Sequence, residues 1–267
     1  MEQNPIHRLL RGTGMRGAAL LIGAALCGCA STYAVPGRGA EMRMFGAERD
    51  QLSDGSVVKT LSKRPLAELP TTIAVVRVQS SGYSSATAQG WGSGAYSVVT
   101  QRDIENQEDK LKEIRKLPMV SDVAPLNRLL LPTEFHSDLE LRQAAASLHA
   151  DMLLVYTLDT TFNVEDVAAP LTVVSLGLSP NQVAHVGCTA SAVLLDTRNG
   201  YVYGLAEATE RQSQLASGWT NEAAVDQTRR RVEAKAFEKL VTGFETSWPS
   251  IVQNLTPTRR AAMLDPR

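Results

Sequence analysis

The sequence predicts a single α/β domain in three layers, a mixed sheet covered by helices, over about residues 71–254. In its first half, apolar strand patterns alternate with helix patterns, which favours parallel strands joined by right-handed crossovers. In its second half, Asn199-Gly200 lies between two β-rich runs and favours an antiparallel hairpin. A long amphipathic pattern after the hairpin predicts a C-terminal helix that covers the sheet.

The first strand–helix–strand unit begins at Ile73–Val78. This run is nearly continuous in apolar and mostly β-branched residues, which is typical of a strand buried on both faces. Thr100 has the position of a helix cap, with Asp103 three residues later, and the predicted helix runs to about Lys116. Met119–Leu126 then predicts a second strand, which is more polar than the first.

The second unit repeats this order. Ser137 as the cap and Glu140 at the third helical position predict another helix, which is expected to end near Ala150. Its Leu and Ala residues have the i, i+3, i+4, i+7 spacing of a buried stripe. Asp151–Thr160 follows as a buried strand.

The C-terminal helix is predicted to begin at Thr220 or Asn221 and to end near Ser247, before Pro249. Its apolar residues repeat at helical spacing and form the face that covers the sheet. The opposite, solvent-facing side is predicted to hold Arg229, Arg230, Glu233, Lys235 and Glu238.

Ahead of the domain, residues 1–28 have the pattern of a lipoprotein signal peptide. A start with three Arg and one Glu precedes the charge-free run Ala18–Leu26, which is typical of a secretory signal and too short for a membrane-spanning helix. Leu26-Cys27-Gly28-Cys29 resembles a bacterial lipobox. The resemblance implies cleavage before Cys29, lipidation of Cys29 and, because Ala30 rather than Asp follows, the periplasmic face of the outer membrane. The alternative is an ordinary cleaved signal.

Composition narrows the choice of partners. The chain has a formal net charge of −1, which gives no basic excess for nucleic acid. With Cys27 removed and Cys29 acylated, Cys188 is the remaining cysteine, so no intramolecular disulfide is expected. Residues 29–70 are predicted to be the lipidated cysteine and a flexible tether, with a short helix near Glu41–Asp50, and residues 255–267 a flexible tail.

Two stretches carry a family resemblance. Leu148-His149-Ala150-Asp151 ends a helix before an apolar strand, and Val193-Leu194-Leu195-Asp196 begins a hairpin that continues through Gly200 to Tyr203. Both resemble the patterns of bacterial lipoproteins with the TolB N-terminal/CsgG/LpoB-type α/β fold, over about residues 70–247. That resemblance implies a non-enzymatic protein, without cofactor, that binds partners or assembles in the outer membrane.

The patterns that suggest enzymatic chemistry are weak. Gly90–Ala95 fits G-x-G-x-x-A, but these residues come well after the first strand, so they predict a loop rather than a dinucleotide site. His185 and Cys188 are three residues apart, so a strand would point them to opposite faces and no metal site is expected. A hydrolase using His136, His149 or His185 with a serine and a carboxylate remains an alternative function.

Two features leave alternatives open. Residues 170–187 are predicted to form a sheet hairpin, an oligomer contact or a membrane-inserting hairpin of the pore-forming kind. Tyr83, Trp91 and Tyr96 surround a Ser/Gly-rich loop, where aromatic side chains either pack on the domain or bind a partner. The predicted function is a membrane-anchored periplasmic lipoprotein that binds another envelope protein. A homo-oligomer, and in particular an oligomeric secretion pore, is the alternative.

Overall fold

The structure, a computed structural model, describes residues 37–40, 53–166, 182–216 and 221–255. No helix among these residues is long and apolar enough to cross a membrane. The predicted features outside them are the signal peptide with Cys29, the helix near 41–50, residues 170–181 of the hairpin pattern, Thr220 and the tail beyond residue 255.

The described part of the chain forms four α-helices, one short 3-10 helix and eight strands. The helices are α1 (Asp54–Ser62), α2 (Gln107–Arg115), α3 (Leu139–Ser147) and α4 (Asn221–Leu255), and the 3-10 helix spans Arg128–Leu130. The strands are β1 (Thr71–Gln79), β2 (Ser93–Gly94), β3 (Ser97–Val99), β4 (Val120–Pro125), β5 (Glu134–Phe135), β6 (Met152–Asp166), β7 (Gln182–Asp196) and β8 (Val202–Ala216).

Strand β1 is the centre of the mixed sheet that the sequence predicted. The order is β3-β1-β6-β7-β8, with β4 also paired to β1. Strands β4 and β6 run parallel to β1, which confirms the predicted parallel pairing, whereas β3 is antiparallel. Strands β3 and β4 therefore share one edge of β1, and they diverge between Val75 and Arg77.

The sheet buries side chains on both faces. Helix α4 packs on one face against a cluster that includes Met152, Leu154 and Tyr156. On the other face, α3 packs against the alternate residues Leu153 and Val155. This alternation on β6 explains why its sequence is almost continuously apolar.

Helix α2 begins later than predicted. Thr100 does not cap it, because the Thr100 hydroxyl accepts a hydrogen bond from Arg128 Nε at 3.0 Å. Asp103 is buried in an ion pair with Arg77, with 2.5 Å between Oδ1 and NH1. The helix starts only at Gln107, after the loop that this ion pair holds.

Helix α4 continues past its predicted end. Pro249 lies inside it, and the helix ends at Leu255. Trp248, Ile251 and Leu255 are buried against the sheet, and Trp248 Nε1 donates to the carbonyl oxygen of Pro118 at 2.8 Å. Burial of three large side chains offsets the cost of about 3 kcal/mol for an interior proline.

The structure differs from the predicted 29–70 tether in its described segments. Helix α1 has a capping box between Ser53 and Ser56, although it buries none of its side chains. Residues 37–40 dock at the fork where β1 and β6 separate. There Gly39 forms a bridge with Gln79, and the Ala40 amide donates to Thr157 Oγ1 at 2.8 Å.

The predicted hairpin between β7 and β8 is confirmed, but its turn is longer than the Asn-Gly pattern suggests. Residues 197–201 connect the strands, and within them only Gly200 has a positive φ, +68°. The Asp196 carboxylate accepts the amide hydrogens of Arg198 and Asn199 at 2.9 and 3.3 Å, which closes the loop.

The second Asp196 carboxylate oxygen attaches the start of the domain to this hairpin. It accepts the amide hydrogens of Leu66 and Ala67 at 2.8 and 2.9 Å and the hydroxyl of Tyr203 at 2.5 Å. Burial and the adjacent carboxylate raise the pKa of Tyr203, so its hydroxyl remains a donor. These contacts give a physical reason for the spacing from Asp196 to Tyr203 in the sequence pattern.

Replacing this carboxylate is expected to destabilise the domain. Asp196→Ala removes the acceptor of the half-buried donors of Leu66 and Tyr203 and one of the two acceptors of the buried Ala67 amide, at a cost of about 3 kcal/mol. Thermal unfolding followed by circular dichroism should show a fall of roughly 10 °C in Tm. The control is Asp109→Ala, which removes an exposed carboxylate from a surface ion pair. Equal Tm values for the two variants would contradict this role of Asp196.

Candidate functional site

The three loop aromatics have different environments. Tyr83 and Tyr96 are buried, and the Tyr96 hydroxyl donates to the carbonyl oxygen of Ser137 at 2.7 Å. The Tyr96 ring also stacks on Phe135, with centroids 4.9 Å apart. Of the two roles considered for these residues, the structure assigns packing to Tyr83 and Tyr96. Trp91 alone of the three keeps part of its surface accessible to solvent.

Trp91 lies in a small surface group with Arg128, Leu129, Leu130 and Pro132, which we call the Trp91 surface. The indole Nε1 donates to the carbonyl oxygen of Pro132 at 3.1 Å. The guanidinium of Arg128 lies 5.2 Å from the centre of the indole ring, a cation–π contact. Leu129 is 94% exposed, and Leu130 is exposed beside it.

Local interactions explain why a leucine is displayed here. Leu126 and Leu131, on either side of the short 3-10 helix, are buried and anchor both of its ends. Asn127 caps the helix by accepting the amide hydrogen of Leu129 at 3.0 Å through Oδ1. The helix is therefore held with Leu129 outward by contacts that do not involve its side chain.

The glycine-rich loop around Trp91 packs closely against Phe135 of β5. A Cβ atom on Gly94 would lie 2.2 Å from the Phe135 carbonyl oxygen, and Gly94 has a φ of +100°. A Cβ atom on Gly92 would be similarly close to the Phe135 ring. Trp91 itself exchanges two backbone hydrogen bonds with Val98, at 2.8 and 2.9 Å. The Gly-x-Gly pattern thus lets the loop lie against β5 and fixes the Trp91 backbone.

Arg229 and Glu233 of α4 belong to a buried network of charged side chains. The prediction that Arg229 and Glu233 face solvent is wrong, because they are 0% and 1% exposed. Arg229 NH1 donates to Glu233 Oε2 at 2.7 Å and Arg229 NH2 donates to Thr87 at 3.0 Å. Glu233 also accepts the hydroxyl hydrogen of Thr160 at 2.9 Å. The pair connects α4 to the sheet and to the loop after β1.

Arg77 forms the second half of this network. Burial acts to lower the pKa of Arg77. The charge of Asp103, followed by those of Tyr83 and Glu233, acts in the opposite direction with a larger combined effect, so the pKa of Arg77 is above its ordinary value. Arg77 NH2 also donates to the Tyr83 hydroxyl at 2.9 Å. The guanidinium therefore stays charged and ties three chain segments together.

Helical spacing contained a signal for the Arg229–Glu233 pair. Arg229 follows Val225 by four residues and precedes Val232 by three, which places it on the buried stripe rather than opposite it. The ion pair between Asp226 and Arg229 likewise joins residues one helical turn apart. Side-chain charge, taken without this spacing, predicts instead that both residues face solvent.

Among the described residues, the three histidines and Cys188 form no common site. His136 precedes α3 and His149 follows it, whereas His185 lies in β7, where Nδ1 is 2.8 Å from Ser213 Oγ on an exposed face. Cys188 is buried on the other face, as the spacing predicted, and burial raises the pKa of its thiol to about 12. Among the described residues, no group of three or more His, Cys, Asp or Glu side chains is arranged to hold a metal ion.

Comparison with known proteins adds little to these contacts. No protein-family model matches the chain, and no curated protein matches it. Among solved structures, the chain is similar to a dodecamer of a PelC point variant from Paraburkholderia phytofirmans, at 16% sequence identity and a TM-score of 0.24. The match covers 67% of this chain and 93% of that one.

Removing one member of the Arg229–Glu233 pair is expected to cost more unfolding free energy than replacing both members with apolar residues. Glu233→Ala leaves the buried Arg229 charge without its nearest carboxylate, and we expect a loss of about 3 kcal/mol in unfolding free energy. The double variant Arg229→Met/Glu233→Leu removes both charges and should lie within about 1 kcal/mol of the wild type. Urea denaturation measures both. A double variant as unstable as Glu233→Ala would show that the charges themselves stabilise the fold.

Proposed function

We propose that the protein is a non-enzymatic, lipid-anchored protein of the bacterial cell envelope that binds another envelope protein through the Trp91 surface. The observation that carries the binding proposal is the 94% exposure of Leu129 on a capped 3-10 helix whose Arg128 lies over the partly exposed Trp91 ring. Leucine exposed to this extent gains about 1.5–3 kcal/mol when a partner buries it. Tryptophan and arginine are the side chains most enriched among residues that dominate binding energy.

The anchor proposal rests on the lipobox resemblance at Leu26–Cys29 and gains a length limit from the fold. Eight peptide units separate Cys29 from Gly37, so these residues span at most roughly 29 Å. Residues 37–40 dock at the β1–β6 fork. Lipidation of Cys29 would therefore keep the sheet close to the bilayer, much closer than a tether extending to residue 70 would.

The alternative, a subunit of an oligomeric secretion pore, is favoured by one observation. Strand β8 is 15 residues long, and within the described part of the chain no strand pairs with its outer edge. An open edge of this length is a template for a strand of another chain. Exposed charged residues on β8, Glu207 and Arg211, work against such pairing.

Removing the acylated cysteine tests the anchor. Cys29→Ser should move the protein from the membrane fraction to the soluble fraction, because the thioether-linked lipid supplies the membrane affinity. Cys27→Ser is the matched control and should remain in the membrane fraction, since it keeps the Leu-x-Gly-Cys core. If Cys29→Ser still sediments and detergent releases it, a protein segment rather than a lipid holds it to the membrane.

Changing the exposed leucine tests the binding surface. Leu129→Asp should reduce crosslinking to the envelope partner at least tenfold, because burying an unpaired carboxylate at the interface is unfavourable. Leu205→Asp, at a leucine on β8 that is 76% exposed, is the control and should crosslink normally. The measurement is in vivo crosslinking followed by mass spectrometry.

The opposite pattern in that experiment would favour the pore. Normal crosslinking in Leu129→Asp together with loss in Leu205→Asp would place the interface on β8. Size-exclusion chromatography in mild detergent then distinguishes a ring, whose assembly should depend on residues 170–187, from a monomer bound to a different protein.

A further inference from the structure

Helix α1 is exposed along its length. None of its nine residues is buried, although Ser53 and Ser56 form a capping box at its start. Its three large apolar side chains, Val57, Val58 and Leu61, are between 56% and 72% exposed. A helix this short is marginally stable in water, because most helices in proteins are stabilised by the packing of an apolar face. The apolar face of α1 is therefore expected to be covered when the protein is in place.

The exposed side chains of α1 are separated by polarity. At about 3.6 residues per turn, Val57, Leu61 and Val58 fall within an arc of about 100°. Lys59 lies on the opposite side, and Lys63 at the C-cap follows it by four residues and so shares that side. An apolar face opposite lysines is typical of a helix that lies in the plane of a membrane surface.

The charge of this segment indicates the kind of surface that α1 would contact. Three bases, Lys59, Lys63 and Arg64, stand against one acid, Asp54, in a chain whose formal net charge is −1. Asp54 lies in the first turn, where it interacts favourably with the helix dipole. Basic residues are attracted to anionic lipids, and this attraction adds to the burial of apolar side chains. An anionic phospholipid surface therefore matches both the apolar and the basic side of α1.

The fold attaches the end of α1 to the turn between β7 and β8. The carbonyl oxygen of Arg64 accepts a hydrogen bond from Asn199 Nδ2 at 2.7 Å. Two residues later, the Leu66 amide donates to the Asp196 carboxylate at 2.8 Å. Helix α1 therefore has a defined place at the hairpin end of the sheet.

The anchor proposed at Cys29 can bring this end of the sheet to a bilayer. Asp196 pairs with Met152 at the start of β6. Thr157, where residues 37–40 dock, is five residues further along β6, or about 17 Å away. The chain from Cys29 to the docked segment spans at most roughly 29 Å. This span exceeds the distance along β6, so the lipid on Cys29 and α1 can reach the same bilayer.

We propose that α1 is a second membrane contact, a helix that lies in an anionic phospholipid surface. Val57, Val58 and Leu61 insert among the upper acyl chains, while Lys59 and Lys63 contact the lipid phosphates. The inference rests on the proposed anchor, because the lipid on Cys29 supplies the attachment and α1 sets the orientation of the domain.

This orientation turns the Trp91 surface away from the bilayer. Trp91 forms a bridge with Val98, which pairs with Val78 near the carboxyl end of β1. Ile73, five residues earlier in β1, pairs with Met152 at the hairpin end of the sheet. The Trp91 surface and α1 therefore lie toward opposite ends of β1. With α1 on the membrane, a partner could approach the Trp91 surface from the periplasm.

Fluorescence quenching in the acylated protein tests the contact. The protein is reconstituted into vesicles of phosphatidylethanolamine and phosphatidylglycerol that carry a lipid spin label just below the headgroups. A nitrobenzoxadiazole dye at Val58→Cys should lose about half of its fluorescence, because an interfacial helix lies roughly 5–10 Å into the boundary between headgroups and acyl chains. The same dye at Leu129→Cys is the control and should keep its fluorescence. With Cys29 acylated and Cys188 buried, the introduced thiol is the one that reacts.

Variants in the Val58→Cys background separate the apolar and the basic contributions. Leu61→Asp places a carboxylate in the apolar face and should abolish quenching. Leu205→Asp is the matched control, the same change at a β8 leucine of similar exposure, and should leave quenching unchanged. Lys59→Gln/Lys63→Gln should reduce quenching severalfold, since each lysine near an anionic surface strengthens binding about fivefold. That reduction should disappear in vesicles of phosphatidylcholine.

The outcomes that overturn this inference differ from those that overturn the anchor. Quenching at Leu129→Cys but not at Val58→Cys would show that the opposite end of the sheet contacts the bilayer. A Val58→Cys dye that is blue-shifted yet unquenched would show that protein, such as a second copy of the chain, covers α1. Quenching that persists in Leu61→Asp would show that the apolar face is not responsible. A protein that does not float with the vesicles at all would instead remove the anchor, and with it the basis for this contact.

Discussion

The buried guanidinium of Arg77, at the carboxyl end of the central strand, constrains much of the surrounding structure. Removing such a charge from water costs several kcal/mol, which only close partners offset. Asp103 and Tyr83 supply those partners from two different loops. Their positions delay the start of α2 and hold the loop after β1.

The same principle extends to α4. Glu233 contributes to the potential at Arg77 and pairs with Arg229, so one network joins the helix to both loops. Arg128, which stacks on Trp91, also donates to the hydroxyl of Thr100, so the Trp91 surface is tied to the loop after β3.

Elements with strong periodicity were predictable, and elements that depend on distant contacts were not. The β1 and β6 patterns, the hairpin and the apolar stripe of α4 all have the expected positions. The predicted start of α2 was wrong because Asp103 pairs with a residue 26 positions away instead of stabilising the helix. The predicted end of α4 was wrong because burial of Trp248 and Ile251 maintains the helix beyond Pro249.

By itself, the sequence determined the fold class and the candidate anchor at Cys29, because apolar periodicity and a short contiguous motif are local properties. Only the tertiary structure decided which loop aromatic is accessible and which charges are buried. Those outcomes depend on contacts between residues far apart in the chain, such as Thr160 with Glu233, 73 positions apart. A charged side chain is buried only where the fold brings such a partner to it.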